Sequence, residues 1–134
     1  MRRTKLTLKD QALITAVRET FDRLYIKDRH EVAAALRTRG GDIYTGIHFE
    51  ASVGFADVCG EVSAICHALA HGERDYEAIV AMWRTEEGVF ELPSPCGRCC
   101  ELISDFGKDT WFIMGTPKHP FKLRIGELLP LKND

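Results

Sequence analysis

The first apolar positions of the chain recur at helical spacing. Thr7 and Asp10 form the pattern of a capping box, with Asp in place of the usual Glu. Behind them, apolar residues follow one another three and four positions apart as far as Leu24. We therefore predict an amphipathic helix from about Leu8 to about Leu24.

Further along, short apolar runs alternate with helical patterns. "EVAAALRTRGGDIYTGIHFEA" has two such runs around Gly40-Gly41-Asp42, which is typical of a β-hairpin. "CGEVSAICHALAHG" predicts a second helix with Gly72 after its end, and "CGRCCELISDFG" a third helix that ends at Gly107. "YEAIVAMW" and "TWFIMG" predict strands, and "FKLRIGELLP" a last strand with a helical turn. This order predicts a three-layer α/β sandwich whose mixed sheet has an antiparallel hairpin and parallel crossovers.

Length and charge narrow the class of protein. The 134 residues suit a single domain over 1–134, and 45% hydrophobic residues suit a globular core. A net charge of -2 gives no reason to expect a nucleic-acid polymer or a membrane as partner. The basic start has no apolar signal-peptide core, and no run approaches the roughly 20 apolar residues of a membrane span. Five cysteines without an export signal therefore indicate a reducing compartment, the cytoplasm.

Three cysteines share one predicted environment. Cys59 and the pair Cys96 and Cys99 stand where predicted helices begin, and a helix N-terminus stabilises thiolates. Helices that follow strands of one sheet can bring these ends together at one edge. Three thiolates suit zinc and leave its fourth tetrahedral position to water, as in catalytic rather than structural sites. In contrast, we expect Cys66 and Cys100 to be small core residues.

Glu61 follows Cys59 by two positions. An acid beside an open zinc position can take a proton from metal-bound water and return it to a leaving group. A Cys-x-Glu motif followed roughly 35 residues later by Pro-Cys-x-x-Cys is the three-cysteine form of the zinc deaminase signature. The motif therefore predicts a catalytic role for Glu61.

The segments "VAAAL", "TGIHFEASVGFADVCGE", "SPCGRCCELI" and "IGELLP" resemble the cytidine deaminase family, including its blasticidin S deaminase branch, over nearly the whole chain. The resemblance implies an α/β/α sandwich with a five-stranded sheet, and a homo-oligomer, tetramer or dimer, with sites near subunit interfaces. It also implies one Zn²⁺ per chain, held by Cys59, Cys96 and Cys99. Glu61 would be the proton shuttle, and the N–H of Gly60 and the carbonyl of Ser94 would contact the reacting amidine.

Several positions depart from the family pattern. His48 and Glu50 occupy the places of an Asn-x-Glu pair whose side chains bind ribose, so the carboxylate is kept and the amide is replaced. Val62 and Cys100 stand where relatives often have Arg. Arg98, between the two paired cysteines, is therefore the cation we expect to offset the negative charge of a three-thiolate zinc.

These features together predict a zinc-dependent aminohydrolase that converts cytidine or deoxycytidine to uridine or deoxyuridine with release of ammonia, a step of pyrimidine salvage. Three alternatives remain. The substrate could be a modified nucleoside, blasticidin S or another aminated heterocycle. Cys96 and Cys99 could form a redox dithiol, which leaves Cys59 and Glu61 unexplained. Finally, the chain could be a metal-stabilised binding protein without turnover, in which His48 or His119 is the fourth zinc ligand.

Overall fold

The chain forms three helices, six strands and two short 3₁₀ turns within residues 1–133, the part described by this computed structural model. The helices are α1 (Leu8–Leu24), α2 (Gly60–Ala70) and α3 (Gly97–Phe106). The strands are β1 (Val32–Thr38), β2 (Ile43–Ile47), β3 (Tyr76–Arg84), β4 (Phe90–Glu91), β5 (Trp111–Gly115) and β6 (Pro120–Arg124). The 3₁₀ turns are Gly54–Ala56 and Ile125–Leu128. Every helix and strand that the sequence predicts is present.

The sheet is mixed, with strand order β2-β1-β3-β5-β6. β1 is antiparallel to both β2 and β3, β3 is parallel to β5, and β5 is antiparallel to β6. The expected five-stranded sheet is therefore confirmed as the main path. Two features differ from the expectation: the two-residue β4 adds a sixth strand beside the end of β3, and β3 with β5 is the one parallel pair in residues 1–133. β4 escapes prediction because two residues show no periodicity.

Helices cover both faces of this sheet. Along β1, Ala33 and Ala35 pack against α1, while Ala34 and Leu36 pack in the core that includes α2 and α3. This alternation follows from the two-residue period of a strand, and it confirms the three-layer sandwich. Throughout the described chain, no helix is both long and apolar enough to cross a membrane.

The N-terminal helix begins and ends where the sequence places it. The N–H of Asp10 donates to Thr7 Oγ1 at 3.2 Å, and the N–H of Thr7 donates to Asp10 Oδ2 at 2.9 Å, which completes the capping box. Leu13, Val17 and Phe21 form the buried stripe of the helix. The capping box thus fixes where α1 starts on its face of the sheet.

α2 lies unusually close to the β1–β2 hairpin. A Cβ added at Gly46 in β2 would lie 2.2 Å from the backbone N of Ala64, and one at Gly60 would lie 2.9 Å from the carbonyl oxygen of Val32. Contacts this short leave no room for a side chain. The two glycines therefore set the distance between α2 and the sheet.

This close packing explains one wrong prediction. Cys66 was expected in the core with Ile65, but it is exposed. The buried stripe of α2 runs through small residues, Ala64 and Ala68, which let the helix approach the sheet. Cys66 lies on the other side of that stripe and faces outward.

Replacing Gly46 by Ala should destabilise the protein, because its methyl group would meet the backbone of α2. We expect a loss of about 1–3 kcal/mol in the free energy of unfolding, the usual cost of overpacking. Gly54→Ala is the matched control, because a Cβ there meets nothing within 4 Å. Urea unfolding of both variants measures the effect, and equal stability of the two would contradict the close approach.

Candidate active site

Three cysteine sulfurs meet where two helices begin. Cys59 is the N-cap residue of α2, Cys96 is the N-cap residue of α3, and Cys99 lies in the first turn of α3. Their Sγ atoms all lie within 4.8 Å of one another, and those of Cys59 and Cys96 are 3.6 Å apart. The predicted convergence of the two helix N-termini at one edge of the fold is therefore present.

The donor set and its spacing fit zinc. A tetrahedral zinc with Zn–S bonds of 2.3 Å places its sulfurs about 3.8 Å apart, close to the separation of Cys59 and Cys96. Three thiolates are soft ligands of the kind that zinc prefers. The three-cysteine cluster thus fits one zinc ion per chain and provides three protein ligands for four tetrahedral positions.

The two cysteines of α3 have opposite proton affinities. Burial alone would raise the pKa of Cys96, but the backbone N–H of Cys99 and the thiols of Cys99 and Cys59 donate hydrogen bonds that bring it below its ordinary value. Burial, the Glu61 carboxylate and the two neighbouring sulfurs raise the pKa of Cys99. The protein alone therefore makes Cys96 easier to deprotonate than an ordinary cysteine and Cys99 harder, so a thiolate at Cys99 depends most on a nearby cation.

Glu61 lies in the first turn of α2, and it is 6% exposed. Burial raises the pKa of its carboxyl group, and hydrogen bonds with its own N–H and with the Cys99 thiol offset only part of that effect. A carboxyl group with a raised pKa beside the three sulfurs binds a proton more tightly than an ordinary glutamate does. Its position and chemistry match those of a general acid–base residue.

Arg98 reaches back over the cluster from the first turn of α3. Its Nη2 donates to the carbonyl of Asp57 at 2.8 Å and lies 3.4 Å from the Sγ of Cys59. The hydrogen bond with the Cys59 sulfur and the negative charge that the cysteine cluster can carry raise the pKa of the guanidinium group further. A permanent positive charge therefore touches the group of three sulfurs.

His48 and Glu50 line one groove, as their alternation in the sequence predicts. The groove has a volume of about 590 Å³. The N–H of His48 donates to the carbonyl of Val32, and its Nδ1 accepts from the N–H of Glu31, so Nε2 is the ring nitrogen that carries the proton. Because Val32 also lines the groove and its carbonyl abuts Gly60, the groove adjoins the Cys59–Glu61 turn.

Other residues of this groove were missed. Trp83 is 40% exposed and lines it, together with Glu31, Arg84 at the end of β3 and the loop 85–87. The carboxylate oxygens of Asp28, Glu31 and Glu50 lie within 4.8 Å of one another. The antiparallel register that pairs Val32 with Trp83 brings Trp83 and the residues after it to the side of the groove opposite His48 and Glu50. An antiparallel pairing of the start of β1 with the end of β3, had it been predicted, would have placed Trp83 and its neighbours at the groove.

The remaining predicted residues lie around the cluster. Ser94 is exposed in the loop that leads into α3. Cys100 is buried, and its thiol points to the carbonyl of Pro95 at 3.8 Å, so the prediction of a core cysteine is confirmed. His119 is exposed in the β5–β6 turn and is not one of the grouped metal-binding side chains of residues 1–133.

Comparison with known proteins gives a consistent result. Residues 7–115 match the family model of the cytidine and deoxycytidylate deaminase zinc-binding region. Blasticidin-S deaminase of Bacillus cereus is 35% identical over 98% of this chain and 97% of its own length. A probable cytidine deaminase of Dictyostelium discoideum is 28% identical over 74% of this chain and 65% of its own. The crystal structure of cytidine deaminase from Burkholderia pseudomallei superposes with a TM-score of 0.77, at 27% identity, over 96% of this chain and 100% of that one.

Removal of one cluster cysteine should release zinc. We expect Cys96→Ala to weaken zinc binding by at least about 100-fold. Loss of a residue that merely hydrogen-bonds to a metal ligand already costs up to about 100-fold in metal affinity, and loss of the ligand itself costs more. Cys66→Ala is the matched control, since Cys66 is exposed and outside the cluster. Elemental analysis after dialysis against a chelator should find about one zinc per chain in the control. Full zinc occupancy in Cys96→Ala would disprove the assignment.

Proposed function

The chain belongs to the cytidine and deoxycytidylate deaminase family, and from this premise we propose that it deaminates an aminopyrimidine nucleoside by hydrolysis. Members of this family are zinc-dependent deaminases. The first candidates for the substrate are cytidine and deoxycytidine, with uridine or deoxyuridine and ammonia as products. The observation that supports this proposal is the buried carboxyl group of Glu61 beside the three clustered cysteines.

Each residue of the cluster has a distinct role in the proposed reaction. Zinc held by Cys59, Cys96 and Cys99 would supply a Lewis acid that lowers the pKa of a bound water. Glu61 would take one proton from the attacking water and deliver it to the ring nitrogen. It would then take the second proton from the new hydroxyl group and deliver it to the departing amine, which leaves as ammonia. Burial raises the pKa of the Glu61 carboxyl group, which favours its uptake of each proton before delivery.

Two backbone groups would orient the reacting ring. The N–H of Gly60 belongs to the first turn of α2, where N–H groups have no partner within the helix. The carbonyl of Ser94 belongs to the loop before α3. Together they offer one donor and one acceptor to the amidine of the substrate.

Arg98 would offset the negative charge of three thiolates around a divalent ion. Its contact with Cys59 supports this role, since a hydrogen bond to a thiolate lowers the electron density at the metal. Relatives that carry Arg at the positions of Val62 and Cys100 would achieve the same balance from other sites. Zinc retention by Arg98→Gln, measured beside the cysteine variants, tests the role.

The groove would hold the sugar. Glu50 can accept hydrogen bonds from ribose hydroxyl groups, and the Nε2–H of His48 can donate one. Both side chains line a space that adjoins the proposed reaction centre through Val32 and Gly60. We therefore assign substrate selection to this pair.

Blasticidin S is the second candidate substrate. The Bacillus cereus blasticidin-S deaminase is similar along its full length, whereas the probable cytidine deaminase of Dictyostelium discoideum is similar over 74% of this chain. The imidazole of His48 in place of an amide also favours a changed pocket. The two candidates share the chemistry at the ring and differ in what the groove must accept.

We also propose that the chain forms a homo-oligomer, a dimer or tetramer, acts in the cytoplasm on small molecules, and contributes to pyrimidine salvage if cytidine is the substrate. Phe49, Val53 and Phe55 are exposed in the segment between β2 and α2, and exposed apolar groups support a subunit contact. Light scattering measures the mass, and a monomer at micromolar concentration would contradict this part of the proposal.

Glu61→Gln should abolish most activity without loss of zinc. The amide has nearly the same shape but cannot carry the proton, so we expect kcat to fall by about 10²–10⁴-fold. Glu19→Gln on the exposed side of α1 is the matched control and should keep normal turnover. Ammonia release and elemental analysis are measured on the same samples. Near-normal turnover in Glu61→Gln would show that another group moves the proton.

An ammonia-release screen of cytidine, deoxycytidine, cytosine and blasticidin S tests the substrate assignment. If Glu50 binds ribose, cytidine should exceed cytosine in kcat/KM by about tenfold or more, since a carboxylate that loses its hydroxyl partner in the complex costs roughly 1–3 kcal/mol. Glu50→Ala should remove most of that difference, while His48→Asn should keep or raise cytidine turnover. Preference for blasticidin S over both nucleosides would establish the second candidate. An unchanged nucleoside-to-base ratio in Glu50→Ala would disprove ribose recognition.

A further inference from the structure

A second pocket lies at the other end of β1 from the cysteine cluster. Its volume is about 540 Å³. The N-terminus of α1 and the last residues of β1 border it, and its charged walls include Lys9, Arg37, Arg39, Glu77 and Lys122. None of these residues contributes to the cluster or to the groove of His48 and Glu50. The proposed deaminase activity therefore leaves this pocket without a role.

Three charged side chains are buried beneath this pocket. Asp10 is 0% exposed, and its two oxygens accept hydrogen bonds from Arg37 Nη2 at 3.0 Å and from Lys122 Nζ at 2.8 Å. Burial by itself would raise the pKa of Asp10, but the hydrogen bonds from Lys122, from the N–H of Thr7 and from Arg37 lower it below its ordinary value. Asp10 is therefore ionised, and the group of two cations and one carboxylate has a surplus of one positive charge.

One nitrogen in this group has no hydrogen-bond partner. Arg37 is 6% exposed, and its Nη1 is the buried side-chain atom of residues 1–133 that is left unpaired. A buried charged donor without an acceptor is costly, and buried polar groups in folded proteins are otherwise almost always paired. The floor of the pocket thus lacks an acceptor beside a guanidinium group.

The N-terminus of α1 adds donors on the same side. The capping box uses the N–H of Asp10, whereas the N–H groups of Leu8 and Lys9 belong to the first helical turn, which offers no partner within the helix. The dipole of this 17-residue helix also favours negative charge here. The ammonium group of Lys9 is exposed at the opening. Backbone and side-chain donors therefore converge on one space.

The carboxylates that pair with Arg39, of which Glu77 lines the pocket, do not cancel this positive charge. Glu77, Asp75 and Asp109 are all engaged by the guanidinium of Arg39. The side chains of Asp75 and Asp109 are 72% and 67% exposed, so water screens their charge, and Glu77, 31% exposed, is neutralised by its ion pair with Arg39. The unpaired donor at the floor is buried, and its attraction for an anion is screened much less.

We propose that this pocket binds a small oxyanion of the phosphate class, either free or as the phosphoryl group of a small molecule. Such an anion accepts several hydrogen bonds at once, as Arg37 Nη1, Lys9 and the first N–H groups of α1 require. The site is separate from the cysteine cluster: Val32 abuts Gly60 at one end of β1, and Arg37 lies five residues further along, about 17 Å away.

The test is a titration of the zinc-loaded protein with inorganic phosphate at pH 7.5 and constant ionic strength, followed by ¹⁵N–¹H NMR. The amide signals of Leu8 and Lys9 should shift and saturate. This readout is independent of activity and distinguishes the site from any binding of phosphate to zinc. Glycerol phosphate tests the phosphoryl source, and acetate tests whether a single carboxylate suffices.

Two variants and a control make the assignment specific. Lys9→Gln changes an exposed side chain, and we expect phosphate affinity to fall about fivefold, as for loss of one partly screened charge. Arg37→Lys keeps a cation for Asp10 but removes Nη1, and it should bind at least as weakly. Lys118→Gln is the matched control, because Lys118 is exposed in the β5–β6 turn at the far end of the sheet.

The outcomes are distinct. Saturable shifts that weaken in Lys9→Gln and Arg37→Lys but not in Lys118→Gln establish the site, and stronger binding of glycerol phosphate than of phosphate identifies a phosphoryl ligand. Absence of saturable shifts at Leu8 and Lys9, or equal affinity in all four proteins, overturns the proposal. If Arg37→Lys fails to fold, Lys9→Gln and its control still decide.

Discussion

The close approach of α2 to the β1–β2 hairpin is the constraint on which the site depends. At Gly46 and Gly60 the backbones come so near that no Cβ fits between them. Cys59 and Glu61 flank Gly60, so the contact of Gly60 with Val32 fixes where the sulfur and the carboxyl group stand relative to the sheet. The same contact places the groove of His48 and Glu50 beside them. A small-residue packing contact, rather than any polar bond, thus sets the geometry of the chemistry.

The cluster is electrostatically unfavourable for the protein alone. Burial and two neighbouring sulfurs oppose a thiolate at Cys99, and the buried Glu61 carboxyl group adds to that repulsion. Arg98 supplies one positive charge on the Cys59 side. A divalent cation at the centre of the three sulfurs would relieve the rest, so metal binding and folding of this corner are coupled. The residues that make the corner costly without a metal are those that make it suitable for one.

Sequence patterns predicted most of the fold, and the reasons for the exceptions are physical. Periodicity and end signals placed all three helices, because Thr7, Gly72 and Gly107 mark helix ends by local chemistry. Motif spacing identified the three clustered cysteines and the neighbouring carboxyl group, because each of them stands at or next to the start of a helix that the sequence places correctly. The prediction placed Cys66 in the core, because helical spacing alone does not show that the small residues Ala64 and Ala68 bring α2 against the sheet. It missed the role of Trp83 in the groove, because that role arises from the register of β3 against β1.

The distribution of charge follows from the buried sheet. Both faces of β1 and β3 are covered by helices, so the middle of each strand holds alanine, leucine, isoleucine and valine, and an unpaired charge there would cost several kcal/mol. Functional groups are therefore confined to the strand ends. Near the start of β1 lie the sulfurs and the carboxyl groups of Glu31 and Glu50, whereas its other end buries Arg37 with Lys122 against the single acid Asp10. One strand thus has an acidic end beside the cysteine cluster and a cationic end, and its apolar middle, covered on both faces, separates them.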